Sequence, residues 1–134
     1  VLGENPLGVD ALILESVYPD IQAAIHNRFH MRFGALSAVF TPIFLVQLQY
    51  RLGIELKALS PVEQIGFVRC PLLILSGSED LHTTKQDTER LFNAAHEPKK
   101  LEYFAGARHV DLMAFDSKKY SELVSSFFAL NLSE

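Results

Sequence analysis

Two residues of this sequence have the side chains and the setting for acid–base chemistry. Asp80 follows the apolar run at residues 71–77, and His109 follows the run at residues 100–106. Each run predicts a strand, and α/β enzymes carry their reacting groups at the carboxyl ends of parallel strands. A His can take up and return a proton near neutral pH, while a carboxylate can hold its imidazole in one tautomer. We therefore predict that Asp80 and His109 are a catalytic acid and base.

A nucleophile for this pair is not recognisable in the sequence. Serine enzymes of the α/β type place the nucleophile in a Gly-x-Ser-x-Gly turn between a strand and a helix. No Ser here has Gly both two residues before and two residues after it. The serines that fail this test include Ser16, Ser37, Ser60, Ser76 and Ser78.

Other titratable residues offer alternative interpretations. Glu15 ends an apolar run and could replace Asp80 as the acid. His82 lies close to Asp80, but a loop His near a helix start is expected to be solvated. His26 and His30 are four residues apart on a predicted helix and could share a metal ion. Without a third ligand nearby in sequence, a surface or cap role is favoured, and we predict no metal and no organic cofactor.

The elements that must position Asp80 and His109 begin with three predicted strands. They are placed at residues 9–17, where residues 11–14 form a continuous apolar run, at the buried apolar run of residues 71–77, and at residues 100–106. Strands that alternate with helices imply a parallel sheet with right-handed crossovers. The predicted fold class is α/β with three layers and a mostly parallel sheet, in a single partial domain over residues 1–134.

Helical patterns occupy the segments between the strands. Apolar spacing predicts helices at residues 20–30 and 117–130. Two capping boxes, Ser60-Pro-Val-Glu63 and Thr83-Thr-Lys-Gln86, predict further helix starts. Residues 1–4 resemble the tail of an incoming helix. Residues 20–66 lie between the first and second strands and are predicted to form a cap or lid.

The cap contains the most apolar stretch of the chain. Residues 33–50 carry no charge, but they include Pro42 and several polar residues and barely reach membrane-spanning length. We predict a buried or pocket-lining helical segment and no contact with a membrane. The aromatic residues of the cap could line an acyl pocket or pack its core, and they are Phe29, Phe33, Phe40, Phe44 and Tyr50.

Composition restricts the function further. With 134 residues, 49% of them hydrophobic, the chain can form one globular unit with a real core. A net charge of -4 argues against nucleic-acid binding, which needs a clustered positive field. The single cysteine, Cys70, can form neither an internal disulfide nor a thiolate metal site. A reducing compartment suits such a chain, and we expect it in the cytoplasm.

The order of these features resembles the C-terminal part of an α/β-hydrolase-fold serine hydrolase. The resemblance rests on a strand, a cap, a strand with Gly77 and Asp80, and a strand with Gly106 and His109. It implies that the strands are the sixth to eighth of that fold, with Asp80 as triad acid and His109 as triad base. The segments at residues 12–20 and 106–112 are similar to esterase- and peptidase-like hydrolases of small acyl substrates.

The resemblance implies a function and leaves an alternative. The chain is expected to be a fragment of a hydrolase of esters, thioesters or amides, inactive alone, with its nucleophile about ten residues before Val1. The alternative is a catalytically dead protein that uses the hydrolase scaffold for binding or assembly. In that case the strand at residues 11–17 would be an apolar sheet edge, which two copies could pair to form a homodimer.

Overall fold

A parallel three-stranded sheet forms the centre of the structure, a computed structural model that describes residues 8–53 and 55–132. The strands are β1 (Leu12–Glu15), β2 (Leu72–Gly77) and β3 (Lys99–Phe104), in the spatial order β1-β2-β3. All residues of β2 are buried, as its uninterrupted apolar run predicts. The three predicted strands are confirmed, and β1 is shorter than the strand predicted at residues 9–17.

Helices cover both faces of the sheet. Leu72 and Ile74 of β2 pack into one core with Leu91 on a helix of one face. Leu73 and Leu75 point the opposite way and pack with Leu112, Phe104 and Phe127. Successive side chains of a strand alternate between its two faces, so β2 contributes to both cores. The predicted three-layer α/β class is confirmed.

Six α-helices follow one another in the described residues. Helices α1 and α2 lie between β1 and β2 together with the short α3, whereas α4 joins β2 to β3 and the last two follow β3. Their bounds are α1 (Ile21–Phe33), α2 (Ser37–Leu52), α3 (Pro61–Gln64), α4 (Lys85–Ala94), α5 (Leu112–Phe115) and α6 (Ser117–Asn131). Helix α5 has only four residues and was not predicted, and the predicted helix tail at residues 1–4 lies outside the described residues.

The two predicted capping boxes have different outcomes. Helix α4 is capped by Thr84, whose Oγ1 accepts from the backbone N–H of Asp87 while the Asp87 carboxylate accepts from the N–H of Thr84. The predicted box, which began at Thr83, is therefore wrong by one residue. Helix α3 does begin after Ser60, but the Ser60 side chain makes no capping hydrogen bond.

Helices α1 and α2 form an antiparallel hairpin, which we call the α1–α2 hairpin. The chain reverses at Gly34, whose positive φ of 56° suits a residue without a Cβ. Across the hairpin, Ser37 Oγ lies 3.5 Å from His30 Nδ1 and Thr41 Oγ1 lies 3.4 Å from His26 Nδ1. Ser37 and Thr41 of α2 therefore face α1.

The outer face of the α1–α2 hairpin is apolar and exposed. Only Ser37, Thr41 and Leu45 of α2 are buried, so the prediction of a buried segment is wrong. A stretch with apolar residues on most faces has no period that identifies the buried one, so the sequence could not show this. The pocket-lining alternative agrees with the structure, because Thr41 and Leu45 are among the α2 residues that line a depression of about 420 Å³. Exposed apolar side chains include Phe33, Leu36, Val39, Phe40, Ile43, Phe44, Val46 and Tyr50.

By length and composition alone, Ile21–Leu52 could cross a membrane as a single helix. It has 32 residues, and its most apolar window has a mean hydropathy of 1.5. The structure divides this segment at Gly34 into arms of 13 and 16 residues. At 1.5 Å per residue the arms are about 20 and 24 Å long. Each arm is thus shorter than the roughly 30 Å of a bilayer core.

Candidate active site

Asp80 lies in the loop that follows β2, and its carboxylate organises that loop. Oδ1 accepts hydrogen bonds from the backbone N–H groups of His82, at 2.8 Å, and Thr83, at 2.9 Å. The side chain is completely buried. Thr83 Oγ1 donates to the carbonyl of Ser16, which attaches the loop to the end of β1. One carboxylate oxygen is thereby satisfied by backbone, and the other remains for a second partner.

His109 lies in the loop after β3, which is joined to the Asp80 loop along its length. Ser78 N–H donates to the carbonyl of Phe104, and Glu79 N–H donates to that of Ala107, both at 2.9 Å. The loops approach so closely that a Cβ on Gly77 would lie 2.4 Å from the Ala107 carbonyl oxygen. Adjacent parallel strands therefore bring the two predicted site residues together.

The second carboxylate oxygen of Asp80 contacts His109. Asp80 Oδ2 and His109 Nδ1 are 2.9 Å apart, and the imidazole is 34% exposed. An ionised carboxylate can only accept, so Nδ1 carries the hydrogen and donates it. In the neutral ring Nε2 is then an acceptor, as a general base requires. The geometry fits a His held in one tautomer by a buried acid.

Two further rings lie beside the His109 imidazole. The centroid of the His82 ring is 4.8 Å away and that of Tyr18 is 6.0 Å away. The prediction that His82 is solvated is wrong, because the residue is half-buried and its Nδ1 has no hydrogen-bond partner among the described residues. The sequence feature that could have indicated this position is that His82 lies two residues after Asp80, in the turn whose N–H groups donate to the Asp80 carboxylate.

An open depression of about 410 Å³ adjoins His109. Glu15, the alternative acid, borders it, but Glu15 Oε1 accepts from the N–H of Leu112 at 3.1 Å. Ser16 also borders it, with a positive φ of 48°, a conformation that few residues other than Gly adopt. The acid in contact with His109 is therefore Asp80, while Glu15 anchors the start of α5.

The remaining candidates lie apart from this pair. His26 and His30 are exposed residues on the side of α1 that faces α2, where their rings stack at 6.1 Å beside Thr41 and Ser37. Within residues 8–53 and 55–132, no group of three or more His, Cys, Asp or Glu could hold a metal ion. Cys70 is half-buried, and burial is the largest cause that raises the pKa of its thiol.

The cap aromatics form a cluster on the α1–α2 hairpin. The Phe29 ring meets Phe44 at 5.5 Å, and the Phe33 ring meets Phe40 at 5.3 Å. Phe29 is half-buried, while Tyr50 is 90% exposed. The cluster thus packs the hairpin and also presents apolar surface to its surroundings.

No protein-family model matches the sequence, and no curated protein matches it significantly. Solved structures do match its fold. A puromycin-hydrolyzing peptidase from Mycobacterium tuberculosis has a TM-score of 0.64 and 19% identity, over 92% of this chain and 18% of its own. An α/β fold family hydrolase from Bacillus anthracis str. Sterne has a TM-score of 0.64 and 14% identity, over 94% and 61%. The esterase domain of a Rhodothermus marinus protein has a TM-score of 0.64 and 14% identity, over 98% and 56%.

These likenesses concern part of each hydrolase. The chain spans less than two thirds of each of the three solved chains, although nearly all of it is matched. At such identities the likeness shows the fold alone, and that fold is the α/β-hydrolase fold. The predicted resemblance to α/β-hydrolases is therefore confirmed at the level of the fold.

Proposed function

We propose that this chain supplies the acid and base of a serine hydrolase that cleaves an ester, thioester or amide bond of a small acyl substrate. The observation that carries the proposal is the contact between buried Asp80 and half-exposed His109, which leaves Nε2 free. The order of acid before His along the chain also agrees with the α/β-hydrolase arrangement. We assign the nucleophile to a Ser on a segment that this sequence does not include.

The chemistry follows from these positions. His109 Nε2 takes the proton of the Ser hydroxyl as the Ser oxygen bonds to the substrate carbonyl carbon. The imidazolium then gives that proton to the leaving group, and an acyl-enzyme remains. Water repeats the sequence and releases the acid. Asp80 keeps the hydrogen on Nδ1 and stabilises the imidazolium, and without the Ser and its oxyanion donors the chain alone should be inactive.

The substrate class is inferred from the surroundings of His109. An open depression of about 410 Å³ lies beside His109, and we infer that it receives the acyl group of a small substrate. The hydrolases with a similar fold include a peptidase and an esterase domain, so the fold serves both amide and ester cleavage. The chemistry requires neither a metal nor an organic cofactor.

The test begins with the reading frame upstream of Val1 in the source genome. We expect an open frame that encodes Gly-x-Ser-x-Gly. The chain extended to include that turn should react with a fluorophosphonate and hydrolyse p-nitrophenyl esters. Asp80→Asn should lower kcat by about 10⁴-fold and His109→Ala by about 10⁶-fold. His96→Ala is the control, since His96 is exposed near the end of α4, and it should leave kcat unchanged.

A frame without that turn would contradict the proposal and favour a catalytically dead scaffold protein. One observation supports this second candidate. β1 lies at an edge of the sheet, and no strand among residues 8–53 and 55–132 pairs with its outer side. Two copies could pair there, through residues 11–17, as a homodimer. Sedimentation of the chain should then show a dimer, and a monomer would contradict edge pairing.

A further inference from the structure

We propose that His82 is a positioning residue for His109, in that its ring holds the His109 imidazole in the orientation that directs Nδ1 toward Asp80. The proposal rests on the proposed function for its catalytic meaning, but the geometric claim stands by itself. His82 is neither a member of the triad nor in contact with the bond to be cleaved. Its effect passes through the ring of His109.

The backbone of His82 is fixed from two sides. Its N–H donates to Asp80 Oδ1 at 2.8 Å, and its carbonyl accepts from Asn27 Nδ2 at 2.9 Å. The same Asn27 amide donates to Asp87 Oδ2 at 2.7 Å, at the start of α4. The turn that binds the Asp80 carboxylate therefore also fixes the backbone from which the His82 side chain extends. A ring attached there has a defined position relative to Asp80 and hence to His109.

The His82 and His109 rings are in contact. Their centroids are 4.8 Å apart, and the ring planes are inclined by 33°. Tyr18 is a second aromatic neighbour of His109, at 6.0 Å and 39°. Rotation of the His109 ring about its side-chain bonds would separate it from both neighbours as well as from Asp80. The Asp80 side chain is fully buried, so its surroundings hold it in place. His109 is one third exposed, so its contacts with the two neighbouring rings must help to hold the imidazole in its orientation.

The His82 ring meets His109 by ring contact. Its Nδ1 is buried and lacks a hydrogen-bond partner among the described groups, and its described ring contact is with the imidazole of His109. Charged groups near His109 include Asp80 from the β2 loop, Glu15 and Asp111 beside the open depression, and Arg28 over the Tyr18 ring.

The test is ¹⁵N–¹H NMR of the imidazole nitrogens in the chain by itself, with no substrate. The wild type should show His109 as the Nδ1–H tautomer, with slow hydrogen exchange. His82→Ala removes the ring but keeps the backbone N–H bond to Asp80, and it should speed exchange of the His109 Nδ1–H by about 3- to 10-fold. His82→Phe keeps a planar ring and should retain most of the protection.

Two outcomes would overturn the proposal. One is a His109 tautomer and exchange rate in His82→Ala equal to those of the wild type. The other is an equal loss of protection in His82→Phe and His82→Ala while urea unfolding shows both variants to be folded. Neither depends on hydrolysis, so failure of the activity test leaves this result interpretable. In the extended enzyme, His82→Ala should lower kcat with little change in KM.

Discussion

Two regions of the molecule are packed in different ways. One is the pair of loops after β2 and β3, and the other is the α1–α2 hairpin. In the loops, polar groups meet backbone partners at defined distances, and Asp80 is buried with both carboxylate oxygens occupied. In the hairpin, Ser37 and Thr41 are buried while Ile43 and Val46 are exposed. Hydrogen bonds between named groups hold the two loops together, whereas ring contacts such as Phe29–Phe44 and exposed apolar side chains make up the outer face of the hairpin.

This difference indicates where the molecule tolerates change. A buried polar group that loses its partner carries the full cost of its desolvation, whereas an exposed side chain carries little of the folding energy. Substitutions in the loops should therefore alter both stability and the geometry of His109. Substitutions on the outer face of the hairpin should alter neither. Equal sensitivity of the two regions would refute the comparison.

The largest effect is expected from Gly77→Ala. The added Cβ would lie 2.4 Å from the carbonyl oxygen of Ala107 and 2.7 Å from that of Arg108, and backbone atoms cannot move aside as a flexible side chain can. We expect a loss of about 3 kcal/mol in the free energy of unfolding, with separation of Asp80 from His109. Urea unfolding measures the loss, and Gly66→Ala, which meets only Ala94 O at 3.5 Å, is the control. An equal loss of unfolding free energy in the two variants would contradict the close approach of the two loops at Gly77.

Asp80→Ala should have the next largest effect. It leaves the backbone N–H groups of His82 and Thr83 without their acceptor in a buried loop. We expect a loss of about 2 kcal/mol. The control is Asp111→Ala, which removes an exposed cap whose Oδ1 accepts from Ala114 N–H, and it should cost about 1 kcal/mol or less. If Asp111→Ala cost more in thermal unfolding, Asp80 would not organise its loop.

The sequence specified the loops better than the hairpin. The apolar run of β2 ends at Gly77, and parallel strands end at one edge, so the meeting of Asp80 and His109 was predictable. The contact between His82 and His109 was not, because the spacing of residues does not reveal which way a loop ring points. It depends on the turn that Asp80 Oδ1 forms with two amides.

The hairpin was misread because its apolar residues are spread over most faces of α2. With Val39, Phe40, Ile43 and Phe44 all apolar, no helical period selects one face for burial. Of the three buried positions of α2, two carry small polar side chains, Ser37 and Thr41, and the third is Leu45. Hydrophobicity alone cannot identify a helix that buries its polar side against a neighbouring helix.

The first residues of two helices test the same difference between the loops and the hairpin. Helix α4 follows the Asp80 loop, and helix α3 follows the hairpin. Thr84→Ala removes the side chain that accepts from Asp87 N–H, and it should cost about 1 kcal/mol. Ser60→Ala removes a side chain that makes no capping bond, so its cost should be less than half as large. Urea unfolding of both variants measures the two losses of unfolding free energy. Equal losses would mean that the Ser60 side chain also caps its helix.

On the outer face of the hairpin, Ile43→Gln should change the free energy of unfolding by less than about 0.5 kcal/mol. Ile43 is 55% exposed, so little apolar area returns to water when it is replaced. Leu45 is the matched control on the same helix, because it is 6% exposed and Leu45→Ala should cost about 2 kcal/mol. If Ile43→Gln were as costly in urea, the outer face would be covered in solution.

The smallest effect concerns Tyr120 on α6. Burial first, then its hydrogen bond with Glu15 and the charges of Glu15 and Asp111, raise the pKa of Tyr120 above its usual range. The folded chain therefore holds this proton to a higher pH than the unfolded chain does. Its contribution to stability is present below the unfolded pKa of about 10 and declines as pH rises above it.

Glu15→Gln tests this coupling between β1 and α6. Gln keeps an acceptor for Leu112 N–H but removes the negative charge, so the pKa of Tyr120 should fall toward its usual range while burial still raises it. Tyrosinate absorbance follows the titration, and the decline in urea midpoint between about pH 8 and pH 10.5 should be smaller than in the wild type. An unchanged titration would mean that burial and the charge of Asp111, and not Glu15, raise the pKa of Tyr120. Glu15 would then stabilise the region after β3 only through its hydrogen bond with Leu112 N–H. The stability of α6 would not depend on the negative charge of Glu15.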